Sequence, residues 1–257
     1  MGRTLLGVAG WPVSHSRSPA MQNAALAELG LDWLYIPVPL PPQLFAETAA
    51  ALGASGFRGL NVTVPHKVAA HDVADTRSAA AAAIGAANTL TFSDGIAAEN
   101  TDAGGLIDAI GEPVGGRSAL VLGAGGAGRA AVWALLDAGA SEVSVWNRTA
   151  ERAVELASAL GATAVAEPVD ADVIVNCTAV GMAGEGVEAL GLEGAKPGPV
   201  VVDMVYGEGP TPVEEWAERG GARFVGGIEV LVQQGARSLE IWTGRDAPVE
   251  VMRSCLI

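Results

Sequence analysis

Residues 119–149, ALVLGAGGAGRAAVWALLDAGASEVSVWNRT, constrain the fold more than any other part of the chain. The apolar run 119–122 has the length of a buried strand. GAGGAG follows at once and fits G-x-G-x-x-G, with Gly123, Gly125 and Gly128 in the three glycine places. An Ala- and Leu-rich segment predicts a helix over 129–138, stopped by Gly139, and 142–146 predicts a second strand. The glycines then lie where a dinucleotide pyrophosphate needs close backbone approach, and the helix N-terminus offers free N–H groups and the positive end of its dipole. A chain with 34 glycines produces such strings by chance, and the alternative is a structural tight turn. The flanking strand and helix are what give the match weight.

The end of the second strand bears on which dinucleotide. A site for NAD usually carries an acid there for the ribose 2′-hydroxyl. Here stand Asn147, Arg148 and Thr149, with Arg152 one helical turn on. With no acid to repel a 2′-phosphate and two guanidinium groups to clamp it, the pattern favours NADP. The alternative is that Thr149 caps a helix and the arginines are merely solvated.

A chain of 257 residues suits two domains, and 50% hydrophobic residues supply cores for both. A net charge of −14 argues against a nucleic-acid backbone or an anionic membrane as partner. An anionic substrate needs a local exception to that field. Cys177 and Cys255 form no metal or disulfide pattern. The first 19 residues lack a long apolar segment and reach Pro12 quickly, unlike a signal peptide, and no apolar run is long enough to span a bilayer. A reducing cytoplasm is the expected setting.

Of the 15 basic residues, all are arginine except Lys67 and Lys196. Lysine exchanges a proton near neutral pH far more readily than arginine, so Lys67 suggests a task arginine cannot perform. Lys196, beside Pro197 and Gly198, reads as a surface residue.

Strand and helix alternate throughout, an α/β pattern. Strands are predicted at 5–9, 34–38, 59–64, 173–176 and 200–203, with a hairpin of 88–92 and 96–99 turning at Asp94-Gly95. Helices are predicted from Ser18-Pro19 to 29, over 43–52 with Gly53 as the stop, from Pro65, over 76–83 and over 102–110. The segment from Gly226 has helical apolar spacing at Ile228, Leu231, Val232 and Leu239, and is expected to return to the first domain.

Three stretches carry chemistry. NVTVPHK, residues 61–67, ends a strand and opens a helix, the edge where open α/β sheets bind ligands. Thr63 offers a hydroxyl there. Lys67 falls in the first helical turn, where the dipole disfavours a second positive charge, a placement that eases proton release. A dehydrogenase needs such a group to take or give a hydroxyl proton. NTD, residues 100–102, ends another strand; Asp102 either caps the helix or pairs with Lys67. SHSRSP puts Ser16 and Ser18 at a helix entrance, as caps, as a carboxylate seat, or both. His15, His66 and His71 lack metal-ligand spacing, so no metal is expected.

SHSRSP, NVTVPHK, AANTL, ENTDAGG, GAGGAG, NRT, DMVYG and LVQQGA occur in the order found in shikimate dehydrogenases, and the chain resembles that family from residue 5 to about 245. The resemblance implies a substrate domain over 1–101 joined by a C-terminal helix 228–257, a Rossmann-like NADP domain over 102–227, and an active-site cleft between them. It implies NADPH-dependent, metal-free, reversible reduction of 3-dehydroshikimate to shikimate in aromatic amino-acid (chorismate) biosynthesis, by a monomer or homodimer. Carried over by position, Lys67 and Asp102 are the catalytic pair. Ser16, Ser18 and Tyr206 hold the substrate carboxylate, and Thr63, Asn88, Asp102 and Gln234 its hydroxyls and ring. Gly123, Ala124, Gly125, Gly126 and Ala127 hold the pyrophosphate; Asn147, Arg148, Thr149 and Arg152 the 2′-phosphate; Met204 and Gly227 flank the nicotinamide. Without the resemblance, Met204 reads as core filler, Gly227 as a turn and Gln234 as a solvated helix position. Glu99 stands where many members have Asp, and Gln233 where Ala is frequent, which leaves open which glutamine faces the substrate.

The rivals are a quinate/shikimate dehydrogenase using NAD, a methylenetetrahydrofolate dehydrogenase, and a non-catalytic NADP(H)-binding sensor. Asn147-Arg148 speaks against the first. The serines and NTD speak against the second. A sensor has no need of both Lys67 and Asp102.

Overall fold

The computed structural model describes residues 3–182, 185–207 and 209–256. The chain divides into two compact units: one holds the residues up to 105 with those from 231 on, and the other holds residues 106–230.

The first unit runs β1 (Thr4–Gly10), α1 (Ser18–Glu28), β2 (Trp33–Pro39), α2 (Phe45–Ala54), β3 (Phe57–Val62), α3 (Lys67–Asp72), β4 (Thr76–Arg77), α4 (Ala79–Ile84), β5 (Thr89–Ser93), β6 (Gly95–Glu99) and the first half of α5 (Thr101–Ile110). Its sheet has the order β2-β1-β3-β5-β6-β4. β1 lies parallel to β2 and β3, while β5 is antiparallel to both β3 and β6. Gly95, at φ 114°, makes the expected hairpin turn. Leu60, Phe45, Leu90 and Phe92 are buried in one core cluster of this unit.

Three local expectations differ from the structure. A turn in which His66 N–H bonds Thr63 O at 2.9 Å precedes α3, so that helix starts at Lys67 and not at Pro65. Residues 76–77 pair with β6 as an edge strand. The helix predicted to begin there starts at Ala79, where Ser78 Oγ accepts from the Ala81 N–H. α2 follows a 3-10 turn at Pro42–Leu44 and runs through Gly53 to Ala54, because Gly53 keeps helical geometry and the positive φ (92°) falls on Gly56.

The second unit runs β7 (Ser118–Leu122), α6 (Gly126–Asp137), β8 (Glu142–Trp146), α7 (Ala150–Leu160), β9 (Thr163–Ala164), β10 (Val173–Asn176), β11 (Val200–Asp203), α8 (Pro212–Arg219) and β12 (Arg223–Val225). α6 starts three residues before the predicted Arg129, inside the glycine string. Every strand pair is parallel, in the order β12-β11-β10-β7-β8-β9. Parallel strands covered on both faces need apolar runs, and VIVN and VVVD of β10 and β11 are buried along their whole length. The order reverses between β7 and β10, and the loops there flank the crevice in which doubly wound sheets bind ligands.

The chain then forms α9 (Gly227–Thr243) and α10 (Val249–Ser254). Trp242 of α9 is buried; its Nε1 donates to Leu90 O at 3.1 Å, and its indole covers Gly59, where any β-carbon would overlap the ring. Gln22 Nε2 of α1 donates to Gly235 O at 2.9 Å. No helix among the described residues is long and apolar enough to cross a membrane.

Candidate active site

In the first unit, His66 anchors the start of α3. It is buried, stacks on Phe45 with ring centroids 4.7 Å apart, and donates from Nε2 to Leu40 O at 2.7 Å. Burial holds its imidazole below the usual range, against the opposing pull of that carbonyl. This ring is a fixture of the fold, and it leaves Lys67 to face the polar side. Lys67 O accepts from the Ala87 N–H at 2.8 Å, which brings the helix start beside Asn88.

Lys67 Nζ donates to Asp102 Oδ2 at 2.8 Å, and the two side chains are only 14% and 11% exposed. The other oxygen, Oδ1, accepts from Asn88 Nδ2 at 2.9 Å. The Asn88 amide is oriented by backbone: its Oδ1 accepts from the Thr101 N–H at 2.7 Å, which turns the NH2 toward Asp102, Thr101 Oγ1 (2.9 Å) and Gln234 Oε1 (3.2 Å). Gln234 is thereby joined to the pair, while its Nε2 donates to Leu231 O at 2.7 Å. Asp102 does not cap α5. Asn100 does, with its Oδ1 accepting from the Ala103 N–H at 3.2 Å. The Asp102 carboxylate is left to Lys67 and Asn88.

Thr63 is half-buried, and its methyl lies over Gly10, where a β-carbon would come within 2.5 Å. Ser18 is buried and Ser16 half-buried; the Ser18 N–H donates to Ser16 Oγ at 3.3 Å. Neither serine occupies the N-cap position of α1, which falls on Arg17. Among the described residues, no group of three or more His, Cys, Asp and Glu is placed to hold a metal.

In the second unit, Gly123 has φ 109°, and its missing β-carbon would meet the Cys177 backbone at 3.1 Å. A β-carbon on Gly128 would overlap Gly123 O, so this glycine lets α6 close on the loop. Gly125 differs, because among the described residues nothing lies within 4 Å of where its β-carbon would be. The glycine is not required by packing, and the open space above it fits a ligand pressed against backbone. Gly126 and Ala127 form the first turn of α6, which no side chain caps. Asn147 Oδ1 accepts from the Ala124 N–H at 3.2 Å and its Nδ2 donates to Thr149 O at 2.9 Å, bracing loop against strand end. Thr149 takes the N-cap position of α7 without a side-chain bond to the helix. Arg148 and Arg152 are exposed and form no ion pair among the described residues. Two unpaired guanidinium groups beside an open glycine turn suit a dinucleotide with an added phosphate.

Gly227 lies against the Met204–Val205 backbone, where a β-carbon would meet Val205 O at 2.6 Å, and Tyr206 follows, half-buried. The residue that shapes this turn went unread in the sequence. Asp203 is fully buried and accepts from Thr211 Oγ1 at 2.6 Å, Asn176 Nδ2 at 2.8 Å and the Val205 N–H at 3.0 Å. Burial pushes its carboxyl up despite those three donors. Asn61, Thr101 and Ser238 were missed likewise; an asparagine inside the apolar strand LNV was the signal for the first.

Models of three known domains match the chain: the shikimate dehydrogenase substrate binding domain over residues 8–90, shikimate / quinate 5-dehydrogenase over 106–180, and the shikimate 5'-dehydrogenase C-terminal domain over 227–254. A shikimate dehydrogenase (NADP(+)) of Geobacter metallireducens is 42% identical, over 98% of this chain and 96% of its own. The crystal structure of shikimate dehydrogenase from Aquifex aeolicus superposes with a TM-score of 0.93 at 36% identity, covering 99% of this chain and 97% of that one. The Thermus thermophilus enzyme in complex with NADP(H) and shikimate superposes with 0.88 at 37% identity, covering 98% of each chain.

Proposed function

The chain belongs to the shikimate dehydrogenase family, and from that membership we propose that it interconverts 3-dehydroshikimate and shikimate reversibly with NADP. The observation that carries the reading is the Lys67–Asp102 contact of 2.8 Å, largely shielded from water and oriented by Asn88.

Lys67 takes the proton of the substrate hydroxyl in oxidation and returns one to the carbonyl oxygen in reduction. Asp102 accepts from the amine at 2.8 Å and holds it in place. Asn88, Thr63 and Gln234 bind the substrate hydroxyls and ring, and Ser16, Ser18 and Tyr206 its carboxylate. When bound, NADP supplies the acceptor of hydride, or the donor when reduced. Residues 123–127 would hold its pyrophosphate, Asn147, Arg148, Thr149 and Arg152 its 2′-phosphate, and Met204 and Gly227 would lie beside its nicotinamide. Two cysteines without a disulfide, Cys177 and Cys255, fit a reducing cytoplasm.

The test is the initial rate with shikimate or quinate, each with NADP or NAD. Turnover confined to shikimate with NADP is expected. Comparable quinate or NAD rates would move the chain to a broader specificity, and no turnover in any pairing would overturn the reading.

A further inference from the structure

We propose that Ser238, on α9, is a positioning residue that holds the Lys67–Asp102 pair in working geometry through Asn61, Thr89, Thr101 and Asn88. The proposal rests on the role given to that pair above.

Ser238 is fully buried. Its Oγ lies 2.9 Å from Asn61 Nδ2, 2.9 Å from Thr89 Oγ1, 3.1 Å from Thr101 Oγ1 and 3.0 Å from Gln234 O. A hydroxyl donates once and accepts twice. With its hydrogen on Gln234 O, it accepts from Asn61 and from one threonine. The Asn61 amide is oriented from the far side, where the Tyr35 hydroxyl donates to Oδ1 at 2.8 Å; Nδ2 therefore points to Ser238 and to Asn88 O, 3.1 Å away.

One side chain on α9 thus ties together β3, β5 and the start of α5, the segments that carry Asn61, Thr89 and Thr101. Thr101 neighbours Asp102, Thr89 neighbours Asn88, and Gln234 lies one turn back on α9. Without the Ser238 hydroxyl, the threonine that donated to it must place its hydrogen elsewhere, because an unpaired buried donor is costly. Asn88 Oδ1 lies 3.2 Å from both threonine hydroxyls, so both hydrogens then fall on that oxygen. Their pull competes with the Thr101 N–H for that oxygen and rotates the amide away from Asp102. Asp102 is then held by Lys67 alone, and the pair loses the fixed orientation that proton transfer needs.

The test measures kcat and KM, with Tm alongside, for Ser238→Ala, Ser238→Thr, Thr89→Ala and Lys67→Ala in the full chain with shikimate and NADP. Ser238→Ala is expected to lower kcat about tenfold and to leave the KM for NADP within about twofold. Thr89→Ala is expected to lower kcat in the same way, and Ser238→Thr, which keeps a hydroxyl, to rescue it. A kcat that falls as far in Ser238→Thr as in Ser238→Ala would overturn the proposal, since that is the signature of packing alone. Wild-type kcat in Ser238→Ala would overturn it too. Should Ser238→Ala not fold, Thr89→Ala decides the question alone. Full activity in Lys67→Ala would instead overturn the role of the pair.

Discussion

Asn88 donates to one oxygen of the Asp102 carboxylate at 2.9 Å and leaves the other to Lys67 at 2.8 Å. The division matters because a backbone N–H fixes which end of the amide faces the acid. Removing the amine should therefore remove the proton carrier while the substrate seat stays in place. Lys67→Ala is expected to lower kcat by about two orders of magnitude or more, with the KM for shikimate nearly unchanged. Steady-state kinetics in the oxidation direction check this, and a wild-type rate would refute it.

Arg148 and Arg152 stand exposed beside the Asn147 brace, with no ion pair among the described residues. A guanidinium that meets the 2′-phosphate contributes nothing to NAD. Arg148→Ala is expected to raise the KM for NADP about tenfold or more and that for NAD within about twofold. Equal effects on the two cofactors would count against the clamp.

The glycines of the loop should separate by function. A β-carbon at 125 meets no atom of the described residues, whereas one at 128 overlaps Gly123 O. Gly125→Ala is expected to keep Tm within a few degrees and to weaken NADP binding, measured by calorimetry or fluorescence. Gly128→Ala is expected to lower Tm markedly, because the loop and α6 must separate to admit the methyl group. NADP binding unaffected by Gly125→Ala would show that the open space is not the cofactor's.

His66 is kept neutral by burial, so the unfolded chain takes up its proton at higher pH than the folded one. The stability this group contributes is present above about pH 6.5 and is lost as pH falls from there toward the lowered folded value. His66→Gln removes the titration and can still donate to Leu40 O. Its Tm is expected to fall less steeply than the native one between about pH 7 and 5, and parallel slopes would exclude His66 as the source.

How much of this was legible in the sequence depended on whether local rules decide it. Strands 142–146, 173–176 and 200–203 were read to the residue, because apolar runs closed by turn residues leave one solution. Residues 76–77 were misread as helix because the pairing with β6 overrides local propensity, and pairing is a long-range fact. The contact between Lys67 and Asp102 was legible from lysine usage and strand ends, although its distance was not. Asp102 was weighed as a helix cap because nothing local favours Asn100 over it. Ser238 was invisible, since its side-chain partners Asn61, Thr89 and Thr101 lie 137 to 177 residues away in the chain.

The same separation has a consequence for how the protein is made. Residues 231–257 complete the unit that residues up to 105 begin, and the other unit lies between them in the chain. During vectorial synthesis, every side chain of residues 106–230 leaves the ribosome before Ser238, Gln234 and Trp242. Asn61 and Thr89 must wait through that interval without their last partner, so the surroundings of Lys67 and Asp102 are completed only after the whole of the other unit has emerged.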